Sequence, residues 1–218
     1  MNRRILVIAT GAVAFSAFGA GAYWFGGLDR SLPPTAPPRE GDALVRAHSP
    51  IIGPAAAPVT IIEFFDPACE ACRAFYPVVK QIMDMFPGKV RLVLRYTPLH
   101  QGSDEAVRIL ETARLQGQFI PVLEALLARQ PEWADHGSPN LRRAWEIARA
   151  AGLDVDRARR DMNTTAITTV LETDIADMRA NGINRTPTFF VNGKPLPTFG
   201  AQQLFELVRS EVGRIPAS

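Results

Sequence analysis

Cysteine is scarce: the 218-residue chain has two, at positions 69 and 72. A pair so close in sequence cannot staple distant parts of a chain, so a disulfide-built scaffold is excluded, and a four-thiolate zinc site lacks its other ligands. Histidine is nearly as rare, with His48, His100 and His136 scattered along the sequence. An excess of one charge is missing too, since 24 Lys and Arg against 22 Asp and Glu leave a formal net charge of +2. No basic face marks the chain for nucleic acid, which is set aside as a partner. No internal repeat is present. A hydrophobic content of 47% over this length is enough to bury one core with an inserted or satellite layer.

The two cysteines form Cys69-Glu70-Ala71-Cys72, directly after the apolar run Val59-Thr60-Ile61-Ile62-Glu63-Phe64-Phe65. Two thiols three positions apart on the first turn of a helix can close a small-ring disulfide. The unpaired amides of that turn stabilise a thiolate on the first of them. Closing so short a loop removes little chain entropy, so the bridge is a poor staple and a redox-active pair is the better reading. Cys69 is then the candidate nucleophile and Cys72 the resolving thiol.

Arg3-Arg4 precede Ile5 to Phe25, a stretch without a charged residue. As a helix it would be about 30 Å long, enough to cross a bilayer. Small residues at Ala20-Gly21-Ala22 resemble a signal-peptide cleavage site, but the run exceeds a usual signal core, which favours an uncleaved anchor. In both cases the basic end stays cytoplasmic and the chain after about Gly27 is exported, to a periplasmic or other extracytoplasmic space. From Leu32 to His48 the prolines at 33, 34, 37 and 38 predict an extended tether.

Val59–Phe65 predicts a strand buried on both faces, ended by Asp66-Pro67. A helix follows from about Cys69 to Met85, with apolar positions Phe75, Val78, Val79, Ile82, Met83 and Phe86 at three- and four-residue intervals and a kink expected at Pro77. Val90–Tyr96 is a second strand, parallel to the first because a helix joins them. From about Ser103 to Asn181 the pattern is helical, with start signals at Ser103, Ser138-Pro139, Asp154 and Thr164 and stop glycines at Gly152 and Gly182. Strand character returns at Thr188–Val191. Asn192-Gly193 predicts a hairpin into a short strand at Lys194–Thr198, and a last amphipathic helix covers Ala201–Val212. The domain reading is 1–27 signal or anchor, 28–50 tether, 51–100 first half of the sheet, 101–182 helical insertion and 183–218 second half.

The segment from Gly53 to Phe65, the Cys69-x-x-Cys72 spacing and Thr186-Pro187-Thr188-Phe189-Phe190-Val191-Asn192-Gly193, in this order and separated by a helical insertion, resemble the DsbA family of thioredoxin-fold proteins over about residues 51–209. The resemblance implies an α/β thioredoxin fold, a mixed sheet flanked by helices with an inserted helical subdomain. It implies that Cys69 attacks and carries the mixed disulfide and that Cys72 resolves it. Pro187 is expected in a cis peptide bond facing the cysteines, so that Thr186 offers its backbone to an extended substrate segment. Glu63 is expected beneath the site as a buried carboxylate that assists proton removal from Cys72. His100, at the exit from the second strand, is mainly read as an exposed loop residue, and His48 and His136 receive no role.

Two departures from the best-known DsbA pattern matter. Glu70-Ala71 stand where the strong oxidase has proline and histidine, and Thr186 precedes the proline as in thiol isomerases. A carboxylate at Glu70 should oppose the helix-terminus effect and leave Cys69 with only a mildly lowered pKa. The expected function is an exported thiol:disulfide oxidoreductase that needs no cofactor or metal and acts on proteins or peptides bearing thiols or disulfides, recharged by a membrane or periplasmic redox partner. The direction, oxidase or isomerase, stays open. The alternative is a copper-handling or folding-helper module whose cysteines bind metal or clients without turnover.

Overall fold

A computed structural model describes residues 44–135 and 137–216. The expected anchor or signal at 1–27, most of the tether, and His136 lie outside the described residues. Among the described residues no helix is long and apolar enough to cross a membrane.

Five strands form one sheet: β1 (Ile51–Ile52), β2 (Val59–Phe65), β3 (Val90–Tyr96), β4 (Thr188–Val191) and β5 (Lys194–Pro195), in the order β1-β3-β2-β4-β5. β2 and β3 are parallel, joined through α1 (Glu70–Met85), while β1 and β5 add antiparallel edges and β4 pairs antiparallel with β2. Every residue of β2 is buried, because the strand is central and covered on both faces. Its alternation divides the core. Ile62 and Phe64 join Leu44, Val93, Ile183 and Phe190 on one face, whereas Ile61 and Phe65 belong with Cys69, Cys72, Val79 and Ile82 on the other. Glu63, between Ile61 and Phe65, therefore points to the cysteine side of the sheet.

The insertion folds as α2 (Ser103–Leu115), α3 (Phe119–Ala128), a short turn of tighter helix at Gln130–Glu132, α4 (Leu141–Ala150), α5 (Val155–Asp161) and α6 (Thr165–Ala180); α7 (Ala201–Val212) returns against the sheet. Trp133, completely buried, anchors the short turn by donating its indole N–H to the Leu126 carbonyl at 2.9 Å. The α1 helix runs unbroken through Pro77. Asn192 and Gly193 both have positive φ, 48° and 78°, and close the tight β4–β5 hairpin; the strand after it is shorter than the sequence pattern suggests.

The helix starts are partly displaced from their sequence signals. Asp154 caps α5 by accepting from the Arg157 amide at 3.0 Å, but Asn140 rather than Ser138 caps α4. Ser103 is the first residue of α2, and its hydroxyl is used elsewhere.

The tether also ends earlier than expected. Leu44 is buried, Arg46 binds the Asp177 carboxylate through two contacts of 2.8 and 2.7 Å, and His48 Nε2 lies 2.8 Å from Asp174 Oδ1. These carboxylates also hold Arg95, a fully buried guanidinium on β3, so a charged network sits where the sequence suggested a free linker. His48, given no role from the sequence, is one of its members.

Candidate functional site

The site is built at the break between β2 and α1. Asp66 and Pro67 end the strand, Cys69 takes an extended conformation as the residue capping α1, and Cys72 falls one turn inside the helix. Cys69 is only 6% exposed, and Cys72 is completely buried. From the far end of the fold, the peptide bond between Thr186 and Pro187 is cis, and the Thr186 carbonyl lies 3.3 Å from Cys69 Sγ.

The two thiols are electrostatically unlike. The Cys69 thiol is lowered to about 5, chiefly because the Cys72 thiol donates to its sulfur; burial opposes this, and the amides of Cys72 and Ala71 add to it. Cys72 is raised far above the ordinary thiol range, by burial first, then by its bond to Cys69 and the charges of Glu63 and Cys69. Glu70 is exposed at the first position of α1. The expected near-cancellation at Cys69 is not what the structure holds. A thiol donor and two amides act directly on the sulfur, and they outweigh any opposing charge on the solvent side.

Glu63 is fully buried, and burial together with the charge of Cys69 raises its carboxyl to about 8. Among the described residues, the buried side-chain oxygen or nitrogen atoms without a hydrogen-bond partner are both Glu63 oxygens, Gln130 Oε1 and Thr186 Oγ1. All belong to the shell of this site. A polar group buried without a partner is unfavourable, so their concentration here marks a region arranged for something other than stability.

Two residues of the site escaped the sequence reading. Gln130, on the short turn after α3, donates its amide to the carbonyls of Pro67 at 2.8 Å and Cys69 at 3.0 Å, tying the insertion to the cysteine loop. Asp66 was read only as a strand breaker. It is fully buried, and its carboxylate gathers the start of α2, the loop after β3 and the cysteine loop. His100 lies in that loop, with Nδ1 2.7 Å from Asp66 Oδ2 and a side chain 32% exposed. No local signal identifies Gln130; for Asp66 the one hint is a carboxylate between a buried strand and a cysteine.

A protein-family model described as Thioredoxin matches residues 46–206. The fold is similar to that of a thioredoxin-like oxidoreductase from Silicibacter pomeroyi, 30% identical with a TM-score of 0.70, over 82% of this chain and 100% of that one. It is also similar to the thiol-disulfide exchange protein α-DsbA2 from Wolbachia pipientis, 19% identical with a TM-score of 0.66, over 78% of this chain and 90% of that one. A Na(+)/H(+) antiporter NhaA from Herminiimonas arsenicoxydans is 35% identical over 148 residues, 67% of this chain and 22% of that protein. The chain spans about a quarter of the length of such curated relatives, so their transport activity does not carry over. A family match over residues 46–206 and a 30% identical relative covered end to end place the chain in the thioredoxin family of oxidoreductases, with the DsbA-like form of the fold.

Proposed function

We propose that this chain is an exported thiol:disulfide oxidoreductase that exchanges disulfides with extracytoplasmic proteins through Cys69 and Cys72. The observation that carries the reading is the inequality of the two thiols: one held at about 5 beside the Thr186 carbonyl, the other buried and held protonated one helical turn away. The charged segment Arg3-Arg4 followed by the apolar run to Phe25 supports export.

In the reducing direction the Cys69 thiolate attacks a substrate disulfide, forming a Cys69–substrate S–S bond and releasing one substrate thiolate. Cys72 then gives its proton to Glu63 and attacks the Cys69 sulfur. The Cys69–Cys72 disulfide forms, the mixed disulfide breaks, and the second substrate thiolate leaves with the electron pair. Two electrons pass from the pair to the substrate, and the oxidising direction is the same sequence reversed. Glu63 suits this proton transfer, because a carboxyl at about 8 can take up and return a proton near neutrality. Thr186 and Pro187 line the place where an extended substrate segment meets Cys69, with the Thr186 backbone as its hydrogen-bonding edge.

The test is exchange with a small disulfide-bonded protein. The wild type is expected to reduce or form its disulfide in a suitable glutathione buffer, and Cys69→Ser to lose this entirely. Exchange that survives in Cys69→Ser overturns the reading.

A further inference from the structure

Asp66 is a buried carboxylate that the exchange steps leave unused. A carboxylate offers acceptors only, and five donor contacts converge on this one. Oδ1 accepts from the Ala68 amide at 2.8 Å and the Ser103 hydroxyl at 2.5 Å, and Oδ2 accepts from the amides of Leu99 at 2.8 Å and His100 at 3.0 Å and meets His100 Nδ1 at 2.7 Å. One oxygen thus reaches into the cysteine loop, and both reach the 99–103 segment that leads into α2.

The backbone of Asp66 touches both cysteines. Its carbonyl accepts from the Cys69 amide at 3.1 Å, and its amide donates toward Cys72 Sγ at 3.5 Å. Burial, Cys69 and Glu63 all disfavour a thiolate on Cys72, while the Asp66 amide acts in the opposite sense. A hydrogen bond to sulfur gains strength when the sulfur is charged, so this contact matters most at the moment Cys72 ionises.

We propose that Asp66 is a positioning residue of the exchange reaction: its carboxylate clamps the 99–103 segment to the cysteine loop and thereby aims its own amide N–H at the Cys72 sulfur, favouring the thiolate that resolves the mixed disulfide. The inference rests on the exchange reading above. During resolution Cys72 gives up its proton, the Cys69–Cys72 S–S bond forms, the Cys69–substrate S–S bond breaks, and the negative charge moves from Cys72 to the departing substrate sulfur. The Asp66 amide holds that charge at its origin. Attack by Cys69 does not use this contact, so the two steps should respond differently to a change at Asp66.

The experiment mixes the reduced full-length protein with a peptide whose single cysteine is in a disulfide with free cysteine. Acid quenching and mass spectrometry then follow formation and decay of the Cys69 mixed disulfide. In Asp66→Asn the side chain presents an amide to donors that expect an acceptor, and first-order decay should slow about ten-fold, the loss of about one charge-assisted hydrogen bond. Second-order formation should stay within about two-fold of the wild type, since Cys69 keeps its own donors. Ser103→Ala removes one contact to the carboxylate and should slow decay about two- to three-fold, which keeps a readout if Asp66→Asn does not fold. A folded variant in which both steps slow together, or in which decay is unchanged in both variants, overturns the proposal. A wild type that forms no mixed disulfide overturns the exchange reading itself, and this inference with it.

Discussion

The Cys69 sulfur lies 3.3 Å from the carbonyl oxygen of Thr186, although 117 positions separate the two residues in the chain. The contact joins the start of α1 to the approach to β4, and it exists because β2 pairs in parallel with β3 on one side and antiparallel with β4 on the other. Cys69 and the Thr186 backbone are brought together by the sheet rather than by any local motif.

Thiolate absorbance of the reduced protein should titrate with a midpoint near 5, leaving Cys69 about 99% ionised at pH 7. Because the Cys72 thiol is the largest cause, Cys72→Ala should move the midpoint upward toward the ordinary thiol value. Cys72→Ser, whose hydroxyl still donates, should move it less. A midpoint that does not respond to Cys72→Ala would assign the stabilisation to the amides of the helix start instead.

Cys69 and Glu63 should pull stability in opposite directions with pH. Cys69 is lowered from about 9 to about 5, so the folded state loses its proton first and stability rises between those values. Glu63 is raised from about 4.5 to about 8, so the folded state keeps its proton longer and stability falls across that window. Denaturant midpoints of Glu63→Gln should therefore climb from pH 5 to pH 9, and those of reduced Cys69→Ser should fall from about pH 4.5 to pH 8. Parallel curves for the two variants would mean that neither group is perturbed as described.

The docked residues 44–49 give a stability prediction. Asp174 is fully buried and accepts from Arg95 at 2.8 and 3.1 Å and from the Tyr96 amide at 2.8 Å. Asp174→Ala leaves the buried Arg95 guanidinium short of a partner and should cost about 3–5 kcal/mol. Arg46 is 39% exposed, and Arg46→Ala should cost about 1 kcal/mol or less. Urea denaturation of both variants checks the contrast, and equal losses would contradict it.

The central strands were legible in the sequence because β2 and β3 are rich in apolar and β-branched or aromatic residues over strand-length runs, and α7 because its apolar residues recur at helical spacing. Helix starts were less so. Ser103 looks like a cap but spends its hydroxyl on Asp66, and a tertiary partner outcompetes the local one. The cysteine pair was legible as a motif, while its surroundings were not. Gln130 reaches Cys69 across 61 positions, and Arg95 meets Asp174 across 79, distances over which no periodic pattern carries information. Residues 44–49 read as a tether because proline dominates the stretch before them, but two apolar residues, Leu44 and the partly buried Val45, and two paired side chains hold them down.

The most direct measurement is mass spectrometry of reduced Cys72→Ser exposed to a client protein that carries a disulfide bond, which the Cys69 thiolate can attack with release of one client thiolate. With attack retained and resolution removed, the account predicts accumulation of a one-to-one mixed disulfide through Cys69, reversed by reductant and absent in Cys69→Ser. Failure of Cys72→Ser to accumulate any adduct, or adducts joined through Cys72 in Cys69→Ser, would contradict it.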